Sequence, residues 1–146
     1  MCKIQFLNTG SFKIIREGQL FSRIDKGIVI TDRYERDLYG VGFFKNINLS
    51  KEYPKEYEKW KGLIRRCYGK NQKSSYIYSE VDERWHCFDN FIEDLPYIPN
   101  YFIAKREDFK KWDLDKDYYS DYIKIYSPKT CVFLKESYNA LYRDKN

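Results

Sequence analysis

Two runs of aromatic and aliphatic residues at helical spacing constrain this chain most. In the first, Tyr57, Trp60, Ile64 and Cys67 with Tyr68 recur every three or four positions and form one apolar stripe. Lys59, Arg65 and Arg66 fall off that stripe, and Gly69 follows as a C-cap signal. In the second, Trp85, Phe88, Phe91, Ile92 and Leu95 share a face, predicting a helix over Asp82–Leu95 that Pro96 and Pro99 end. Two such stripes must bury against each other or against a sheet. A chain of 146 residues with 42% hydrophobic and 19% aromatic content can build that core, as one medium domain or two very small ones.

The N-terminal third has a different period. Lys3–Leu7 alternates, Asn8-Thr9-Gly10-Ser11 supplies turn chemistry, and Phe12–Arg16 follows, which together read as a hairpin. Further strands are predicted at Gln19–Ile24, after which Asp25-Lys26-Gly27 turns the chain, and at Ile28–Thr31 and Val41–Phe44. Gly40 and Gly42 flank Val41, a sign of a bulge or a close backbone approach. Polar residues around Pro54 read as a linker, and residues 70–80 as a loop. After Pro99 a loop runs to about Lys111, then strands near Trp112–Asp117 and Thr130–Leu134 and a helix near Lys135–Tyr142. The expectation is an α+β chain: a small β-sheet domain over 1–46, a linker over 47–56, and helices with a strand–strand–helix unit over 57–146.

No apolar run approaches the ~18–20 residues that cross a bilayer, and Met1–Phe6 lacks a signal-peptide core. A cytoplasmic protein without a membrane partner is expected. Cys2, Cys67, Cys87 and Cys131 form no C-x-x-C pair. In a reducing compartment they read as thiols, most of them buried. A zinc site drawn from Cys67, His86, Cys87 and Cys131 would have a spacing unlike standard zinc patterns.

Residues 51–75 hold eight basic side chains against three acidic ones, a local excess equal to the net +5 of the whole chain. A concentrated basic patch is the footprint of a polyanion partner, although a solvated helix face has the same composition. Its candidate nucleic-acid contacts are Lys59, Lys61, Arg65, Arg66, Lys70 and Lys73. Asp113, Asp115 and Asp117 alternate, so on a strand they share one face and read either as a metal site or as a solvent-facing edge. Tyr118, Tyr119, Tyr122 and Tyr126 suit either base stacking or core and rim packing.

Trp60-x-x-Leu63-x-x-Arg66-Cys67-Tyr68, then Val81-x-x-x-Trp85-x-x-Phe88-x-x-Phe91, resembles a family of phage-encoded HNH-endonuclease-like proteins. Leu114-Asp115-Lys116-Asp117, Tyr126-Ser127-Pro128-Lys129-Thr130-Cys131-x-Phe133 and Asn139 extend the resemblance over residues 57–146. Phe6-Leu7-Asn8-Thr9-Gly10 and Tyr39-Gly40-Val41-Gly42 resemble the accessory region of such proteins. The resemblance implies a ββα module clamping Mg²⁺ or Mn²⁺. Asp115 and Asn139 take the metal-ligand positions, with Asp113 on the same face as Asp115. Thr130 takes the position that braces the loop, and Lys116 stands where the general-base histidine belongs.

The lysine matters chemically. With an unperturbed pKa of ~10.4 it donates protons at neutral pH. Turning it into a base requires a shift of about 3 units, on the order of 4 kcal/mol. A slow nuclease, a different base or a dead site follows. His86, the only histidine, reads either as a replacement base or as a surface or packing histidine. The expectation is an impaired, metal-dependent HNH-like DNA endonuclease or nickase acting in the infected bacterial host. The alternatives are a catalytically inactive nuclease-fold phage protein that binds nucleic acid, or one that binds and inhibits a host defence protein.

Overall fold

The computed structural model describes residues 1–7, 9–32, 35–36, 38–46, 48–119 and 122–143, with the side chains at 75, 140, 142 and 143 excepted. Asn8 of the expected first turn and Ile47 of the expected linker lie outside the described residues. Strands β1 (Cys2–Gln5) and β2 (Phe12–Ile15) pair antiparallel. Their turn closes where Gly10 N–H donates to Phe6 O at 2.8 Å. Helix α1 (Glu17–Asp25) follows and buries no residue.

The strand expected over Gln19–Ile24 is therefore helical. Leu20, Ser22 and Ile24 alternate as a strand would, yet Leu20 and Ile24 are also one helical turn apart, so the short run fits both periods. Ile28–Thr31 forms no strand, because Gly27 and Ile28 cap the helix by donating to Ile24 O and Arg23 O. At Val41–Phe44 two isolated bridges replace the expected strand: Leu38 with Gly42, and Phe43 with Cys87.

Helix α2 (Leu49–Glu52) and the first turn of α3 (Pro54–Tyr68) occupy part of the expected linker. Pro54 opens α3 because a first-turn residue has no intrahelical use for the N–H that proline lacks. The helix expected over Asp82–Leu95 is split into a 3₁₀ turn at Glu83–His86, α4 (Phe88–Asp94) and a second 3₁₀ turn at Leu95–Tyr97. Cys87 is extended, with φ −91° and ψ 122°, and pairs with Phe43. Phe43 N–H donates to His86 O at 2.9 Å and Phe88 N–H to Phe43 O at 3.0 Å, so a tertiary bridge interrupts the helix. The loop expected before Lys111 holds α5 (Tyr101–Arg106).

Short β3 (Glu80–Val81) and β5 (Ile125–Tyr126) pair in parallel. Strands β4 (Trp112–Asp115) and β6 (Val132–Lys135) pair antiparallel, and α6 (Glu136–Arg143) follows β6 at once. The mixture of helices and small strands is α+β. Trp60, Leu63, Ile64, Trp85, Phe88, Phe91 and Phe133 make the centre of the core, with Leu38, Val41 and Phe44 packed against it. Within that core Trp60 Nε1–H donates to Trp85 O at 2.7 Å, so the indole is buried with its polar atom satisfied.

Candidate nucleic-acid interface at the β4–β6 hairpin

Alternation along β4 sends Trp112 and Leu114 into the core and leaves Asp113 and Asp115 half-buried on the other face. Asn139, on the first turns of α6, is buried over this acidic face and its Nδ2 donates to Asp113 Oδ2 at a long 3.4 Å. Asp115 sits at the strand end, where its Oδ1 accepts the Asp117 N–H at 2.8 Å. Burial raises its carboxyl above the ordinary aspartate range, and Asp117 adds to the rise, against hydrogen bonds from the Asp117 and Tyr118 backbone.

Lys116 is buried, with its ammonium on Asp117 Oδ1 at 2.6 Å and 5.5 Å from the centre of the Tyr126 ring. Thr130 closes the loop into β6: its Oγ1 donates to Ile125 O at 2.7 Å and accepts the Ser127 N–H at 3.0 Å. Asp117 is spent on Lys116 instead of extending the face of Asp113 and Asp115, because β4 ends at Asp115.

The candidate basic residues part company. Lys59 is half-buried and donates from Nζ to Trp112 O. Burial lowers its pKa, and Asp113 and Glu136 oppose that shift. Lys61 pairs with Glu58 at 2.8 Å. The Arg66 guanidinium lies between the rings of Tyr76 and Tyr126, at 5.9 and 5.8 Å, so it is a packing cation with its Nε buried. Arg65, Lys70 and Lys73 are exposed and make no ion pair among the described residues. Tyr126 is buried, which takes it out of base stacking, whereas Tyr118, Tyr119 and Tyr122 are exposed. Glu136 neighbours Lys59 although 77 positions separate them, a contact that local sequence pattern does not signal.

His86 is bonded at both ring nitrogens. The Arg36 guanidinium, which can only donate, reaches Nδ1 at 3.0 Å, so Nε2–H donates to Val81 O at 2.9 Å. That arrangement leaves the ring no free lone pair for a metal. Cys67 and Cys131 are buried thiols pushed up to about 11 and about 12, chiefly by burial. No group of three or more His, Cys, Asp or Glu converges among the described residues, so the zinc set of Cys67, His86, Cys87 and Cys131 is not assembled.

Asp113, Asp115 and Asn139 offer the oxygen-rich donor set that Mg²⁺ and Mn²⁺ prefer. As they stand they do not fit such an ion. Asn139 turns a donor N–H toward Asp113, and an oxygen of Asp115 is already engaged by the backbone. The arrangement can hold the chain in place after β4. No described helix is long and apolar enough to cross a membrane. No protein-family model, curated protein or solved structure matches the chain.

Proposed function

We propose that this protein binds nucleic acid through the basic patch on and after α3, with an HNH-like strand–strand–helix unit as scaffold, and does not cut it. The observation that carries this reading is the burial of Lys116 against Asp117 and Tyr126. The residue at the general-base position serves as a structural cation, and His86 has both nitrogens committed. Without a base a hydrolytic site forgoes a factor of typically ~10²–10⁴ in rate. The exposed cations Arg65, Lys70 and Lys73 supply phosphate contacts on the same reading.

One observation favours a slow, metal-dependent nickase instead. The Asn139–Asp113 bond is long at 3.4 Å, so a small turn of the Asn139 amide presents its oxygen beside Asp113 and Asp115. A plasmid-nicking assay with Mg²⁺ and with Mn²⁺, run beside a salt titration of DNA binding, separates the two. The expected result is binding that weakens steeply with salt and no metal-dependent nicking. Mn²⁺-dependent nicking that disappears in Asp115→Ala overturns the proposal, and an absence of DNA binding at low salt overturns both readings.

A further inference from the structure

A groove of about 410 Å³ opens between the first turns of α3 and the 3₁₀ turn before β4. Pro54, Lys55, Glu58 and Lys59 line one wall, and Phe109 and Lys110 the other. Phe109 is 2% exposed, packed on Tyr101 and Phe133 beneath the groove, while Lys55 and Lys110 are exposed. Two exposed lysines thus flank one small space, and a third, Lys59, lends it only its stem. The one carboxylate there, Glu58, is bonded to Lys61 at 2.8 Å outside the groove lining. Lys59 is held by Trp112 O. Lys55 and Lys110 have no ion-pair partner among the described residues, so the rim carries two uncompensated positive charges over apolar walls.

A space with this chemistry suits a ligand that is anionic at one end and flat and apolar at the other. A nucleotide of a single strand has that form: its phosphates meet the lysines, and its unstacked base enters the groove against Pro54 and the lysine stems. A regular duplex keeps its bases stacked inside and has nothing to fill the space. Lys59 also places the groove beside the hairpin, since its stem lines the groove and its ammonium faces Trp112 O, Asp113 and Glu136.

We propose that this groove seats one nucleotide of a single-stranded nucleic acid, with Lys55 and Lys110 on its phosphates. The inference rests on the nucleic-acid-binding reading above and names the strand form and the contact surface. The test is fluorescence anisotropy of the full chain with a labelled short oligothymidylate and with a duplex of the same length. Lys55→Glu/Lys110→Glu is compared with Arg23→Glu/Lys26→Glu at the end of α1, all four residues being exposed. The expected result is tighter binding of the single strand. It includes a loss on the order of tenfold in the groove variant and a log–log salt slope reduced by about 1.4, from two phosphates at ~0.7 each. Lys55→Arg/Lys110→Arg retains binding.

A preference for duplex, an unchanged groove variant, or equal losses in both double variants overturns the groove assignment while leaving nucleic-acid binding standing. Failure of the wild type to bind either probe overturns the functional reading and the groove together. Photo-crosslinking with a 5-iodouracil oligonucleotide reads the same contact without mutation. Adducts at residues 54–59 or 109–110 support the site, and adducts confined elsewhere overturn it.

Discussion

Individual residues in this protein are set by what surrounds them more than by their type. Lys116 and Arg66 are cations by sequence, yet one lies buried on Asp117 and the other lies between two tyrosine rings. Asp115 is the clearest residue-scale case. Its folded-state carboxyl titrates above its ordinary value because burial disfavours the charge. The folded state therefore holds this proton to higher pH than the unfolded chain does. Stability from this group is present at low pH and falls as pH rises through the window between the ordinary and the raised value. Asp115→Asn, which keeps an oxygen for the Asp117 N–H, should raise the melting temperature at pH 7, with the gain shrinking toward pH 4. Thermal melts at both pH values check it; a drop at pH 7 means that the charge itself stabilises the loop.

At the scale of elements, the decisive event is the docking of residues 38–44 onto α3 and α4. Gly42 is where this backbone comes closest. A Cβ added there would stand 2.8 Å from Trp60 Cη2 and 3.0 Å from Leu38 Cβ. Gly40, two residues earlier, has φ +73° but open space around it. The two glycines thus serve different ends, and alanine separates them. Gly42→Ala should cost about 1–3 kcal/mol through overpacking of the fully buried Trp60 and should shift near-UV circular dichroism. Gly40→Ala should cost about 1–2 kcal/mol through backbone strain alone and leave that signal unchanged. Urea denaturation measures both; equal spectra for the two variants would place the close approach elsewhere. The flanking of Val41 by glycines marked this spot in the sequence, though not its partner.

Across the whole molecule, burial is unevenly distributed. From Leu38 onward the chain builds the core, whereas α1 buries nothing and the β1–β2 hairpin contributes only Ile15. Phe12, Ile14, Phe21 and Ile24 are each more than half exposed. A segment with so few buried contacts contributes little to global stability. A chain beginning at residue 36 should therefore melt cooperatively, within about 5 °C of the full protein, where a loss of 1 kcal/mol moves a domain of this size by roughly 2–8 °C. Differential scanning calorimetry decides; loss of the cooperative transition would show that the hairpin and α1 hold the core together.

What the sequence determined by itself is what depends on local period and local chemistry. The stripe from Trp60 to Cys67 suffices to make α3, because one apolar face at a period of 3.6 has no other stable use. The strands expected near Trp112–Asp117 and Thr130–Leu134 and the helix near Lys135–Tyr142 are likewise present as β4, β6 and α6, with the short β5 between the strands. Tertiary structure decided the rest. Gln19–Ile24 fits two periods, and nothing buried selects between them. The stretch Asp82–Leu95 has a helical stripe throughout, yet Phe43, more than forty residues away, takes the backbone of His86 and Phe88 and breaks it. The candidate site divides in the same way. Asp113 and Asp115 share a face by alternation alone. Which cations remain free for a phosphate depended on where Asp117, Glu58, Trp112 O and the two tyrosine rings came to lie.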